Sequence, residues 1–358
     1  MTMTTLEFDQ AVAEAFAERM LGMLNEGALA LMVSIGHRTG LFDAMSSLPP
    51  VTSVELAAAA KLNERYVREW LGALTVGRIV QYDPATRTYR LPAEHAAWLI
   101  RAAAPNNVAV FAQYIPLLGE VEEGILAKFR NGGGLHYHDY PRFHTVMAED
   151  SAQTVVAALE AHILPLVPGL IERLHAGIDV LDIGCGQGLA LLHMAQAFPN
   201  SRFTGYELSA ATTAATQARA EGLGLANLQF VEQDAGLIDD HARYDLICTF
   251  DAIHDQADPA RVLRNIKRAL RPGGVYLMQD IRASSALENN LDHPVGVLLY
   301  AVSTMHCTSV SLAAGGAGLG TMWGEELALT MLADAGFTDV RVERLDHDFQ
   351  NNYYVARH

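Results

Sequence analysis

From about residue 8 to 48, apolar side chains recur at intervals of three and four (Phe16, Met20, Met23, Leu24, Leu31). That is the period of helices with a buried stripe. Val51-Thr-Ser-Val-Glu-Leu follows, where Thr52 or Ser53 can cap a short helix, and Asn63 opens another that runs to about Val76. Beyond Gly77 the period shortens to two in Ile79-Val-Gln-Tyr and again in Thr88-Tyr-Arg-Leu, joined by Asp83-Pro-Ala-Thr. Helix, helix, β-hairpin is the order of a winged helix, a module used for DNA binding, for dimerisation or as a substrate cap.

Residues 101–175 read as helical, broken by Asn131-Gly-Gly-Gly and by Pro165 and Pro168. From Ile178 onward short apolar strands alternate with helices, the signature of a parallel α/β sheet. Strands are predicted near 178–182, 203–208, 228–232, 245–250 and 274–280, with two more near 338–344 and 351–357. The fold class is therefore α/β, a Rossmann-like seven-stranded domain over 176–358. Before it stand a mostly helical winged-helix-like domain over 1–100 and a helical connector and lid over 101–175. From His293 to Gly324 there is no Asp, Glu, Lys or Arg. His293, Pro294, His306 and four glycines from Gly315 to Gly320 interrupt that run, so a buried helix followed by a glycine loop is expected, not a membrane span.

Charge narrows the partners. The chain has 358 residues, with 25 basic against 41 acidic side chains and a net charge of −16. Such a balance repels phosphate backbones and anionic lipid surfaces. The winged-helix stretch from Gly36 to Ile100 holds seven Lys/Arg and six Asp/Glu, and its would-be recognition helix sets Glu64 and Glu69 beside Arg65 and Arg68. A groove-reading helix should be cleanly basic, so a nucleic-acid partner is disfavoured. The N-terminus MTMTTLEFDQ has neither a basic nor an apolar leader region. Cys185, Cys248 and Cys307 are odd in number and far apart, which suits a reducing cytoplasm.

The strand Ile178-Asp-Val-Leu-Asp182 runs into Ile183-Gly184-Cys185-Gly186-Gln-Gly188 and then a helix. Glycines let the turn be tight and let backbone N–H groups approach a ligand. A dinucleotide fingerprint would want its third glycine at 189, which is Leu189. The G-x-G-x-G spacing behind acidic Asp182 instead resembles the first motif of methyltransferases that use S-adenosylmethionine (SAM) and release S-adenosylhomocysteine. Glu207, with Leu208, ends the second strand as a carboxylate able to accept both ribose hydroxyls. Asp234-Ala235 lies where adenine could donate, and Phe250 ends the fourth strand. All fall at strand carboxyl ends, where open α/β sheets bind ligands.

Methyl transfer from a sulfonium is an in-line displacement, and a hydroxyl or thiol acceptor must also lose a proton. His254 stands just past the fourth strand as a candidate base. Ile253-His254-Asp255-Gln256-Ala-Asp258, continuing to Arg271-Pro-Gly-Gly274, resembles the region of plant-type O-methyltransferases that carries their general-base histidine. Phe143-His-Thr-Val-Met147-Ala-Glu-Asp-Ser151 is similar to their F-N-x-x-M-x-x-x-S helix, and Gly315-Gly316 before Trp323 to their glycine pair. The whole pattern is closer still to a group of mycobacterial winged-helix methyltransferases of unassigned substrate. The likeness covers most of the chain, strongly over 178–280 and weakly before 100.

The resemblance implies that Asp280, ending the fifth strand, orients His254. It also implies that Phe143 and Met147 line the acceptor and SAM sites, and Tyr137 is placed with them as a candidate acceptor contact. Two positions depart from it: Gln256 replaces the usual tryptophan, and Ala317-Gly-Leu-Gly-Thr offers no carboxylate where the second acidic partner usually lies. Tyr137 and Phe143 are expected to close over the sulfonium, whose positive charge favours aromatic faces. His306, beside Cys307 in an apolar run, reads as a core histidine or an acceptor contact. The histidines at 136, 138 and 144 follow three glycines and read as a solvated lid, with no metal assigned. The N-terminal helices, rich in Met20, Met23, Leu31 and Met32, are expected to bury apolar surface in a homodimer.

The leading expectation is a cytoplasmic SAM-dependent methyltransferase acting on a small-molecule hydroxyl. Its alternatives are transfer to sulfur or nitrogen, or a SAM-responsive winged-helix transcriptional regulator.

Overall fold

A computed structural model describes residues 8–358; of the opening segment read for a leader, residues 1–7 lie outside the described residues. The chain divides into two compact units, Met1–Ala103 with Asn107–Pro116, and Ala104–Asn106 with Leu117–His358.

In the first unit a helix spans Gln10–Thr39, capped by Asp9, whose side chain accepts from the Ala11 and Val12 amides. Shorter helices follow at Leu41–Ser46, Ser53–Ala60 and Glu64–Val76. Thr52 and Glu55 form a reciprocal capping box, and Asn63 accepts from the Arg65 amide. Strands β1 (Gln81–Asp83) and β2 (Thr88–Arg90) make the hairpin, and Val51 bridges to Tyr89 at its edge. Phe42, Leu56, Val67, Trp70, Leu71 and Leu74 are the buried centre. Gly36 permits it, because a Cβ there would sit 2.6 Å from the Trp70 ring. In the helix Glu64–Val76, Arg68 pairs with Glu64 at 3.3 Å and Arg65 with Glu69. Its arginines are thus occupied by neighbouring acids. The first half of the long helix is different. Val12, Phe16, Leu21 and Leu24 are 57–65% exposed, a row of apolar side chains without cover.

The second unit is built on seven strands: β3 (Asp179–Ile183), β4 (Arg202–Glu207), β5 (Leu228–Glu232), β6 (Tyr244–Phe250), β7 (Leu270–Ile281), β8 (Asp339–Glu343) and β9 (Asn351–Arg357). Their order is β5-β4-β3-β6-β7-β9-β8. The first five are parallel, whereas β9 runs antiparallel to both β7 and β8. The sheet is therefore mixed, not wholly parallel. Only seven residues separate β8 from β9, too few for the crossover that parallel neighbours need.

Both faces of the sheet are covered, which explains the near-continuous apolar strands. Val180, Phe203, Leu246 and Leu277 face one layer with Leu191 and Met194, while Leu181, Ile247, Tyr276 and Met278 face the other. On the second side, helix Pro259–Ala269 has proline in its first turn and Asp258 as cap. It buries Val262, Leu263, Ile266 and Ala269, each large side chain worth roughly 1.5–3 kcal/mol. Residues 101–175 are mostly helical turns, including Glu122–Asn131 and Phe143–Thr154. Among the described residues one helix, Gly296–Ala313, is long and apolar enough to cross a membrane; 44% of it is buried inside the protein.

Candidate active site

The order β4-β3-β6 places a switch point between β3 and β6, and the chemistry-bearing residues gather at the carboxyl ends around it. β3 ends in Asp182-Ile183, and Gly184, Gly186 and Gly188 all take positive φ, +71°, +52° and +63°, before the helix Leu189–Ala197. A Cβ on Gly184 would meet the Ala252 Cβ at 2.8 Å, whereas nothing lies within 4 Å of one on Gly186. The first glycine thus packs against the end of β6 and the second opens onto free space.

Acids surround this loop. Glu207 accepts from the Gly186 amide at 3.0 Å and the Ser209 amide at 2.9 Å, so the end of β4 is tied to the glycine turn. Leu208 beside it is 63% exposed. Asp182 is buried, and one carboxylate oxygen has no hydrogen-bond partner. Burial first, and Glu207 second, push its pKa well above the ordinary carboxylate range. Cys185 in the loop is likewise pushed up by burial. Asp234 caps a short turn by accepting from the Gly236 amide at 2.7 Å, with Ala235 buried behind it. Phe250 ends β6, and Asp251 follows in a left-handed conformation (φ +50°) with a buried, unpartnered Oδ1.

Three residues on lies the centre of the site. His254 and Asp280 are both buried (2% and 0% exposed), and His254 Nδ1 is 2.6 Å from Asp280 Oδ1. That oxygen also accepts from the Trp323 indole at 2.9 Å and from the Ile281 amide at 2.8 Å. His254 precedes the helix that Asp258 caps, so it is held by the sheet and not by a helical turn. Its other nitrogen, Nε2, is 3.4 Å from Asp255 Oδ1. Burial pulls the imidazole's pKa down, but Asp280 and Asp255 together outweigh it and raise it well above the ordinary value.

Asp255 occupies the role for which no residue is found beyond the glycine pair: it is the second carboxylate on the histidine. Its Oδ2 accepts from the Tyr137 hydroxyl at 2.8 Å. Phe143 stacks on His306 with centroids 3.5 Å apart, and Tyr137 meets the same imidazole edge-on at 5.4 Å. His306 is fully buried with Nε2 unpartnered; burial lowers its pKa to about 4, leaving it neutral. Cys307 is adjacent, pushed up to about 12 by burial. Tyr137, Phe143 and His306 thus converge at the Asp255 end of the site. Met147, half-buried, lies one turn beyond Phe143 on the same helix.

The remaining wall comes from distant segments. Leu135 donates to Ser309 Oγ at 2.8 Å, and a Cβ on Gly134 would collide with the Ser309 carbonyl. The last of the three glycines in that loop therefore serves close packing. His136 and His138 stack on each other at 5.3 Å and are exposed. Gln256 bonds back to the Ala252 carbonyl at 2.8 Å. Gly316 lies against Ala257, and the Ala317 amide donates to the Ala257 carbonyl at 3.0 Å.

Comparison with known proteins identifies two domains. Residues 27–101 match the Rv2258c-like winged HTH domain family, and residues 174–336 match a methyltransferase domain family. The chain thus carries a winged-helix domain followed by a methyltransferase domain. The chain is 32% identical over 168 residues to trans-aconitate 2-methyltransferase of Deinococcus radiodurans, covering 47% of the chain and 58% of that relative. It is 31% identical over 111 residues to phthiotriol/phenolphthiotriol dimycocerosates methyltransferase of Mycobacterium leprae, covering 31% of the chain and 40% of that relative. The match thus spans about half the length of these curated relatives. Human N-acetylserotonin methyltransferase, solved in complex with SAM, superposes with a TM-score of 0.68 at 16% identity, over 100% of this chain and 99% of that one. At that identity the likeness shows the fold.

The donor set fits SAM as cofactor. Open backbone at Gly186, ribose-accepting capacity on Glu207, and unpartnered buried oxygens on Asp182 and Asp251 suit a ligand that brings hydroxyls and positive charge.

Proposed function

We propose that the protein moves a methyl group from SAM to a hydroxyl oxygen of a small-molecule acceptor, with His254 as the general base. The supporting observation is the buried His254–Asp280 pair, clamped at Nδ1 so that Nε2 is the nitrogen left to face a reactant. The cofactor supplies an electrophilic methyl group on a sulfonium. The chain's own part begins with holding it: Gly184, Cys185 and Gly186 offer backbone, Glu207 and Leu208 border the ribose, and Asp234, Ala235 and Phe250 border the adenine. Asp182 and Asp251 supply negative charge, Asp251 toward the α-ammonium.

His254 Nε2 then takes the acceptor's proton. Asp280 on Nδ1 and Asp255 beside Nε2 favour the protonated ring, which is the state reached once that proton has moved. Transfer therefore needs a pH at which the free ring is still neutral. Tyr137, Phe143, Met147 and His306 border the acceptor, and burial of the site keeps bulk water from competing for the methyl group. We also propose a cytoplasmic homodimer, with the uncovered face of the helix Gln10–Thr39 buried against a second copy.

The test is transfer of label from methyl-labelled SAM to a panel of phenols, thiols, amines and small carboxylic acids, with His254→Ala in parallel. Transfer to a phenol that collapses in the variant, while S-adenosylhomocysteine still binds, is the expected result. Transfer that survives His254→Ala removes the base role. Label on a thiol or amine replaces the oxygen acceptor. Binding of SAM without transfer to any acceptor, together with a salt-sensitive DNA shift, favours the regulator.

A further inference from the structure

Cys307 has no place in the base mechanism, yet it lies in the middle of the site. Its Sγ, a His254 ring nitrogen and an Asp255 carboxylate oxygen all lie within 4.8 Å of one another. Two adjoining separations are shorter: His254 Nε2 to Asp255 Oδ1 is 3.4 Å, and His306 Nδ1 to Cys307 Sγ is 3.6 Å. His306 Nδ1 is also 3.9 Å from Asp255 Oδ2. Zinc, with bonds of about 2.0 Å to nitrogen and about 2.3 Å to sulfur, holds tetrahedral donors roughly 3.3–3.6 Å apart.

We propose that His254, Asp255 and Cys307 form a binding site for a soft divalent cation of the zinc class, with His306 Nδ1 adjoining the fourth position.

Three observations favour it beyond proximity. Metal-ligating histidines characteristically give their second nitrogen to a carboxylate, and Asp280 holds His254 Nδ1 in that way. Asp255 has the same kind of support, its Oδ2 receiving the Tyr137 hydroxyl while the buried Oδ1 has no hydrogen-bond partner. The charge also closes. A carboxylate and a thiolate balance a divalent ion, the thiol proton passing to buffer as the sulfur–metal bond forms. Sulfur and imidazole donors select zinc or its analogues over magnesium or calcium, which take oxygen.

The site shares Nε2 with the proposed base, so a bound cation and proton abstraction by His254 exclude each other. This inference rests on the donor geometry and stands apart from the methyl-transfer reading.

Cobalt(II) titrated into the metal-stripped full chain tests it. One equivalent should bind with a sulfur-to-cobalt charge-transfer absorption. Cys307→Ser should lose that absorption, and Asp255→Asn should weaken uptake at least tenfold. The double variant His136→Ala/His138→Ala should keep both. S-adenosylhomocysteine binding checks that each variant is folded; if Cys307→Ser fails it, Asp255→Asn carries the comparison. No stoichiometric uptake, an absorption that survives Cys307→Ser, or loss of uptake in the double variant overturns the site. Zinc should lower labelled methyl transfer at least tenfold, reversibly with a chelator; undiminished transfer overturns the sharing of Nε2. Cobalt uptake by a protein that transfers no methyl group when metal-free leaves this site standing and sinks only the proposed function.

Discussion

A single added methyl group should separate catalysis from cofactor binding. A Cβ placed on Gly316 would lie 2.4 Å from Ala257 Cα, 2.8 Å from the Ala257 carbonyl oxygen and 2.8 Å from the Ser311 carbonyl oxygen. All three are backbone atoms, so no side chain can swing away. Ordinary contact begins near 3.4 Å, and the Ala257 segment must therefore retreat by roughly 1 Å, an overpacking that costs about 1–3 kcal/mol. That segment cannot move alone. The Ala317 amide grips the Ala257 carbonyl, Ser311 Oγ grips the Gln256 carbonyl at 3.0 Å, and Gln256 is bonded back to Ile253 and Ala252, the two residues just before His254. A displacement of about 1 Å at a reacting group costs on the order of a hundredfold in rate. Gly316→Ala should thus lose about that factor in kcat. Its affinity for S-adenosylhomocysteine, held by the far side of the switch point, should stay within about twofold. Gly315→Ala is the control: its φ is +69°, with nothing within 4 Å of an added Cβ. It should lose roughly 1–2 kcal/mol to backbone strain and little rate. The two assays are labelled methyl transfer and calorimetric titration. A Gly316→Ala protein that turns over like the wild type, or a Gly315→Ala protein equally slow, would refute the mechanical link between this glycine segment and His254.

Three further outcomes follow from the geometry. Because burial raises the Asp182 pKa in the folded protein, its ionisation costs stability that sets in above the ordinary carboxylate pKa of 3.8 and grows as pH rises through the folded value. Asp182→Asn should accordingly be more stable to urea than wild type at pH 7, with the difference gone below pH 3.8; a variant less stable at pH 7 contradicts this. Asp251→Asn tolerates the left-handed backbone and removes a charged acceptor worth about 1.5–3 kcal/mol. It should weaken S-adenosylhomocysteine roughly 10- to 100-fold and leave 5′-methylthioadenosine, which lacks the amino-acid end, unaffected; equal loss for both ligands moves Asp251 away from the ammonium. Leu21→Asp with Leu24→Asp should convert a dimer to a monomer in sedimentation, and an unchanged mass removes that helix face from the interface.

The strands and the glycine turn were legible because their signals are local: runs of apolar residues, a period, a spacing. The seven predicted strand positions each coincide with an observed strand to within a few residues. The antiparallel entry of β9 was harder to read, since direction depends on the length of the return and not on the strand's own residues. The support of His254 divides the same way. Asp280 was implied by the family resemblance alone. The second acid, however, is the histidine's own neighbour, and it is fixed by a tyrosine 118 positions away. Trp323 reaches Asp280 across 43 positions, and Cys307 arrives on a helix whose sequence shows only apolarity. No periodicity encodes such meetings; they arise when separate elements pack.

Asp280 receives all three of its donors, the imidazole, the indole and the Ile281 amide, on a single oxygen. His254 is in this way moored to the sheet, the most deeply packed part of the unit. The surrounding wall is drawn from segments 134–143 and 303–317, which are joined to one another by contacts such as Leu135 to Ser309. Under the proposed function, reactivity and selectivity would therefore reside in different pieces of chain. Substitutions in the wall could retune which molecule is admitted while the proton-accepting pair stays as it is, so that a lineage could change diet without having to reinvent its chemistry.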